Sequence, residues 1–520
     1  MGVEELPNNG NKFTGSRMIV PGVGLNIYKV QKNDKFAVKR NQYANSINAS
    51  PTPTPSFTPT NTPTPTITPT NTMTPSVTPT LTPTPSSTPP LPPQTFVLSG
   101  NSTTTVAGTF SVSSSGGYID YGDGATTSLT LGTNVINHTY SSPYTGVITI
   151  NYFGNITSLN INNCVPDNST VINVSTSEIV NLTNITQLIL SSGRLTGQFS
   201  DFTPLTLLTN LNIKNDYTAS VISDIPQNIT QLILGAQGYT TISGNISALS
   251  GNNLTFLGIY GTNTVSGNIS TLQSTLSTIA IWGSNTVSGN TSSFNFPSLD
   301  NINIRGNNTI GGDVVNLPSS LTNLYITGSN TLFGNISDIP ILINNLTIDS
   351  STGGNLTGNL SDLQRTGFYL ITLSAPNHTF GLDIDTMPVV SGTSFYARVN
   401  GDLTGDISNL FDSGLSFPFC SITIQNDSGT SSSISYTPST YPWGSVNLKT
   451  FTINRNGGLS STIVNNLLID IDSFGGGITW GTNPACAGGS SINLKGTRTS
   501  ASDAAVTSLN GKGVTVTITP

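Results

Sequence analysis

Charged side chains are scarce in this chain, at 8% of 520 residues, and it holds only two histidines, His138 and His378, and three cysteines, Cys164, Cys420 and Cys486. Each scarcity excludes something. Three widely spaced cysteines cannot build a disulfide framework, and without a C-x-x-C pair a structural zinc site is not expected. Each cysteine is read as a small buried apolar residue, with one disulfide pair left open. A net charge of −7 leaves no basic face for nucleic acid. No run of about 18 apolar residues occurs, so membrane insertion is not expected. The opening MGVEELPNNGNKFTG lacks the apolar core of a signal peptide. No G-x-S-x-G, H-E-x-x-H, phosphate-loop or dinucleotide fingerprint appears, so neither catalysis nor a cofactor is expected.

Asn, Ser, Thr and Gly dominate what remains, a composition suited to turn-rich β-structure with a neutral polar surface. The charges are unevenly placed. Residues 1–47 hold seven of the 17 basic residues (Lys12, Arg17, Lys29, Lys32, Lys35, Lys39 and Arg40) against three acids, leaving 10 basic and 21 acidic residues for the rest. Residues 49–93 are a Thr/Pro-rich tract. Proline fixes φ and removes a backbone donor, so neither helix nor sheet forms there. An extended spacer of at most about 140 Å is expected, at about 3.1 Å per residue. It separates a segment 1–48 from a unit 94–520.

Residues 94–152 carry alternating strands in TFVLSG, GTFSVSSS, GYIDYGDG and GVITINYFG. The ordered phrases IDYGDG (119–124), NHTY (137–140) and GVITI resemble the PKD family of immunoglobulin-like domains, which implies a small β-sandwich. Gly122 and Gly124 suit positive φ in a tight turn, and Asp120 and Asp123 suit hydrogen bonds to nearby amides. The contexts of His138 and His378 both read as turns.

Residues 153–460 repeat. A glycine recurs at 197, 244, 267, 289, 312, 334, 358, 381 and 405, with Ala219 in the place between the first two, in steps of 22 to 25 residues. Between these lie LTNLNI at 208, ITQLIL at 229, LTFLGI at 254, LSTIAI at 276, LDNINI at 299, LTNLYI at 321 and INNLTI at 343, with earlier copies at 156 and 185. This L-x-x-L-x-I period resembles the leucine-rich repeat, implying a solenoid in which alternate residues face inward and neighbouring coils bury one continuous core. The unit departs from that pattern on its far side, where its last leucine comes one place early. The Asn of GTN, GSN, GNN and GSN at 261, 283, 306 and 328 is expected to turn inward and satisfy backbone groups of adjacent coils. The far sides are expected to be mostly β and irregular, with few helices.

In 461–520, Ser500 and Asp503 suggest a capping box opening a short helix over Ala504–Leu509, followed by a last strand VTVTIT. The expected fold is therefore mainly β: a PKD-like β-sandwich, a leucine-rich-repeat-like β-solenoid and a small helical C-terminal cap.

Candidate sites are few. Tyr260, Trp282 and Arg305 fall one place past the third apolar residue of their coils and Tyr325 at an outward place, so together they form a ridge suited to carbohydrate or protein surfaces. Asp383 with Asp385, and Asp470 with Asp472, read as alternating strand carboxylates that could serve a glycosidase, although solvent-facing residues explain them more simply. Asp201, Asp224, Asp338 and Asp362 form a column that could take calcium, local turn capping being the simpler account.

The organisation resembles bacteriophage virion fibre, capsid-decoration or adhesion proteins. It rests on the short basic N-terminal segment without an export signal, the Thr-Pro stalk and the low-charge modules. That resemblance implies a virion-surface location and docking on other virion proteins through residues 1–47, with Arg17, Lys29, Lys32, Lys35, Lys39 and Arg40 as anchors. It also implies host attachment, to a surface protein or glycan, through the solenoid; a homo-oligomer is left open. A bacterial surface adhesin with leucine-rich repeats and a polysaccharide-degrading β-solenoid are the alternatives.

Overall fold

The structure is a computed structural model. It describes the strands at 2–5, 16–19, 25–29 and 36–40. From 93 to 520 it describes all residues except 162–170, 192–193, 215–216, 237–240, 351–352, 364–365, 375–378, 387–388, 400, 412–420, 427–432, 439–445, 474–477 and 481–488. Cys164, Cys420, Cys486, His378, Lys32, Lys35 and all of the Thr-Pro tract but its last residue lie outside the described residues. The chain divides into two compact units, Met1–Ser87 and Thr88–Pro520.

In the first unit, Gly2–Glu5, Ser16–Ile19, Leu25–Lys29 and Phe36–Arg40 form a four-stranded sheet in chain order, every neighbouring pair antiparallel. Arg17, Lys29, Lys39 and Arg40 lie on these strands.

The second unit opens with two long strands, Gln94–Val112 and Gly132–Tyr152, paired antiparallel, with the short Gly117–Asp120 and Thr126–Ser128 beside them. The turn between the short strands follows its sequence. Gly122 and Gly124 take φ of 81° and 95°, the Gly122 amide donates to Asp120 Oδ1 at 2.9 Å and the Ala125 amide to Asp123 Oδ1 at 3.0 Å. His138 does not lie in a turn. It sits within the strand Gly132–Tyr152, its Nε2 2.7 Å from Asp123 Oδ2 and its ring stacked on Tyr121 at 4.3 Å. The amide of Ala125, then His138, holds the Asp123 carboxyl below its ordinary pKa. The strand Gln94–Val112 also pairs antiparallel with Ile156–Ile161 and Val171–Ser175, so the sheet runs unbroken into the repeats.

There the principal sheet becomes parallel. Leu257 pairs with Ile279, Ile279 with Ile302 and Ile302 with Leu324, one strand per coil, and all four side chains are at most 1% exposed. Ile259, Ile281, Ile304 and Ile326 form a second such column. Alternation puts both columns on one face, and stacking at about 4.8 Å lets each coil cover the next. The parallel run continues to Val514–Thr519.

The inward asparagines do what their spacing predicts. Asn263, Asn285 and Asn308 are at most 1% exposed. Asn285 Nδ2 donates to the carbonyls of Trp282 (2.8 Å) and Ile259 (3.2 Å), and its Oδ1 accepts from the Val265 amide at 3.0 Å. Asn263 and Asn308 repeat the pattern.

The far side is a second parallel sheet of seven strands, from Ser220–Val221 to Asn355–Thr357, each coil then turning through a short 3-10 segment such as Ile269–Thr271. The repeated Gly-Asn explains itself here. The Asn caps the 3-10 turn, Asn268 Oδ1 accepting from the Ser270 amide at 2.9 Å. The Gly before it takes φ of 102° at Gly267 and 111° at Gly334. A Cβ on Gly267 would collide with the Asn245 side chain of the preceding coil, and one on Gly358 with Asn335. The two letters are one device shared between neighbouring coils.

The C-terminal region holds a further helix that the sequence reading lacks, Ser461–Ser473, burying Val464, Leu467, Leu468 and Ile471. The second helix, Asp503–Gly511, is preceded by a 3-10 turn, Ser500–Ser502. Thr499, not Ser500, caps that turn, accepting from the Ala501 amide at 3.3 Å. Asp503 pairs with Arg498 instead of closing a capping box. No helix among the described residues is long and apolar enough to cross a membrane.

Candidate functional site

Tyr260 lies in the strand Phe256–Gly261, and Trp282 and Arg305 directly follow the strands Thr278–Ile281 and Asn301–Ile304 of the next two coils, their amides donating to the Ile259 and Ile281 carbonyls one coil back at 3.1 and 3.0 Å. Identical places in adjacent coils are about 4.8 Å apart. The Tyr260 and Trp282 rings are accordingly stacked, with centroids 4.6 Å apart and planes within 7°. The Arg305 guanidinium continues the pile, 5.6 Å from the Trp282 ring centroid and 4.0 Å from that of Tyr325. All four residues expected to form a ridge therefore touch in sequence.

The ridge differs from the expectation in what it presents. Rings stacked along the solenoid axis spend their faces on each other. Trp282 has Tyr260 on one side and Arg305 on the other, so its indole shows solvent an edge. A ring edge is not a platform for the C–H face of a sugar. Tyr260 is half-buried, and that burial raises its phenol pKa above the ordinary value.

The chemically open group is Arg305, which is exposed. Its Nε donates to Asn303 Oδ1 at 2.7 Å, and no carboxylate among the described residues pairs with it. The guanidinium thus lies between aromatic neighbours, its Nε tied and its terminal N–H groups free of a carboxylate among the described residues. Such a fork suits a carboxylate or sulfate approached along the pile.

Two supporting positions escaped the sequence reading. Asn303 lies two residues before Arg305, on the same strand face, and that i, i+2 spacing was its available signal. Gly235 pairs with Tyr260, and a Cβ there would run into the Tyr260 ring, so the glycine leaves room for the phenol to lie flat.

The carboxylates considered for catalysis are placed otherwise than expected. Asp470 and Asp472 lie on the helix Ser461–Ser473, not on a strand. Asp470 Oδ2 accepts from the buried Tyr436 hydroxyl at 2.6 Å, and Asp472 meets Lys512 Nζ at 2.7 Å. Burial, then the Asp470 contact, pushes the Tyr436 phenol pKa far up. Asp383 ends a two-residue strand and Asp385 lies in the 3-10 turn after it. Asp383 Oδ1 accepts from the Asp385 amide at 3.2 Å, and Asp385 Oδ1 accepts from the Asp406 amide at 2.7 Å and from Asn409 at 2.8 Å. They cap turns between coils.

Of the calcium column, Asp201 accepts from Thr176 Oγ1 and the Gln198 amide, and those bonds lower its pKa. Asp362 accepts from the Asn359 amide at 3.0 Å. Among the described residues no three His, Cys, Asp or Glu side chains gather as metal ligands would.

No protein-family pattern matches the chain, and no curated protein does. Among solved structures it is similar to the leucine-rich-repeat ectodomain of the Arabidopsis receptor kinase HAESA, described in complex with an N-terminally extended IDA peptide hormone ligand. That likeness has 17% identity and a TM-score of 0.34, over 64% of this chain and 66% of that one.

Proposed function

We propose that this chain is an adhesion protein that displays its solenoid to a foreign surface and holds an anionic, carboxylate- or sulfate-bearing polysaccharide at Arg305. The observation that carries the reading is the guanidinium fixed between Trp282 and Tyr325 without an internal anion. Its neighbours Asn303, Gly306 and Asn307 are neutral and small or polar, which suits a hydroxylated polymer better than the apolar anchors of a protein partner. The chain's net charge of −7 repels polyanions in bulk, so attachment depends on this local fork.

The test is retention of the full chain on immobilised polygalacturonate. Retention is expected to weaken with salt, to vanish when the carboxyl groups are reduced to alcohols, and to fall in Arg305→Gln. Equal retention of Arg305→Gln, or of the chain on the reduced polymer, contradicts the reading, as does binding to acidic polypeptide alone.

The display reading extends to a virus particle. Residues 1–47 dock on other virion proteins, the Thr-Pro tract acts as stalk, and 94–152 is a PKD-like module at the base of the solenoid. The basic bias of 1–47 and the turn chemistry of Asp120 and Asp123 support this. Deleting residues 1–47 is expected to leave a folded chain that no longer enters particles. Incorporation of the deleted chain would contradict docking through residues 1–47.

A further inference from the structure

A second site lies on the same outer face, in coils nearer the N-terminus. Ser158, Gln187, Asn210 and Gln231 pair in register, one per strand, and line an open groove of about 300 Å³ together with the threonine preceding each of the last three. That volume sits at the lower end of small-ligand sites. No charged side chain lines the groove.

Its hydrogen-bonding capacity is only part used. Each threonine hydroxyl donates to a carbonyl one coil back: Thr186 to Thr157 at 3.0 Å, Thr209 to Thr186 at 3.3 Å and Thr230 to Thr209 at 3.2 Å. Their lone pairs remain as acceptors. Asn210 Nδ2 donates to Gln231 Oε1 at 3.0 Å.

Among the described residues no hydrogen bond engages the Gln187 side-chain amide, so its N–H groups and its oxygen are open to a partner in the groove it lines. Phe256 closes the row, pairing with Gln231 and leaning over Gly258. It is half-buried, and it stands outside the Tyr260–Trp282 pile.

We infer that this groove binds a neutral polyhydroxylated chain, an uncharged oligosaccharide lying along the solenoid axis across four coils. Sugar hydroxyls donate to the Gln187 oxygen and the threonine hydroxyls and accept from the Gln187 and Asn210 amides. Phe256 receives an apolar sugar face. A charged ligand meets no counter-ion there, and this sets the groove apart from Arg305.

The experiment is native electrophoresis of the full chain through gels containing hydroxyethyl cellulose, galactomannan or dextran, each against a gel without polymer. At least one polymer is expected to slow the protein. Gln187→Ala with Gln231→Ala, and separately Phe256→Ala, are expected to weaken that retardation about tenfold or more, while Arg305→Gln leaves it unchanged. Gln187→Ala with Gln231→Ala is expected to melt at the parent temperature, which separates loss of binding from loss of fold. Migration unaffected by all three polymers overturns the proposal. So does retardation that survives the groove substitutions, or binding of reduced, carboxymethylated lactalbumin with no polysaccharide binding.

Discussion

Tyr260 and Trp282 lie face to face, with ring centroids 4.6 Å apart and planes 7° from parallel. The separation matches the rise of one coil, so the pile follows from placing flat side chains at the same step of a parallel stack. Gly235 is its floor. Gly235→Ala is expected to tilt Tyr260 off Trp282, reduce the aromatic circular dichroism of the pair and cost about 1 kcal/mol of stability. An unchanged aromatic spectrum in that variant would show that the glycine does not seat the ring.

The buried asparagines differ from the capping ones, and substitution separates them. Asn285→Leu strips partners from the Trp282 and Ile259 carbonyls and the Val265 amide inside the core. A loss of about 3 kcal/mol or more is expected by urea denaturation. Asn290→Ala removes one exposed cap, on the Ser292 amide, and is expected to cost about 1 kcal/mol. Equal costs would mean that the inner ladder contributes no more than a turn cap.

Glycine-to-alanine changes divide in the same way. Gly124 and Gly358 both have positive φ, 95° and 99°. A Cβ on Gly124 meets nothing within 4 Å, whereas one on Gly358 collides with the Asn335 side chain. Gly124→Ala is expected to cost about 1 kcal/mol from backbone strain alone. Gly358→Ala is expected to lower the melting temperature clearly further, because it also pushes two coils apart; the same thermal melts decide it.

Acid is expected to loosen the junction near Asp406. Burial raises the pKa of this carboxyl, but bonds from Thr437 and Ser408 outweigh it and leave the pKa below its ordinary value of 3.8. A lowered folded-state pKa contributes stability that is whole above the ordinary value and is lost as pH falls through the lowered one. Melting temperature is therefore expected to drop below about pH 4, and Asp406→Asn to show a shallower drop over that window. Identical acid profiles would remove Asp406 from the account.

Much of the solenoid was legible because its rules are local and repeated. Leu257, Ile279, Ile302 and Leu324 announce a column by position alone, and Asn263, Asn285 and Asn308 announce their inward turn by following it. The helix Ser461–Ser473 was not legible in the same way. Its buried set, Val464, Leu467, Leu468 and Ile471, has helical spacing, but two asparagines and β-branched neighbours blur it, and packing decides. Asp470 and Asp472 were misplaced for that reason, since alternation on a strand and a step along a helix look alike over three residues. At the candidate site the sequence placed Tyr260, Trp282, Arg305 and Tyr325 together. It did not reveal that their mutual stacking hides ring faces, because that depends on the coil rise and on Gly235. The groove along Gln187, Asn210 and Gln231 left no motif, being made of residues common throughout the chain.

The most direct measurement is hydrogen–deuterium exchange of the full chain with and without trigalacturonate. Slowed exchange is predicted at the corners following the pile, in 260–263, 282–285, 305–308 and 327–330, with the rest of the solenoid unchanged. Protection confined to other coils, or no protection at saturating ligand, would contradict an anion site at Arg305.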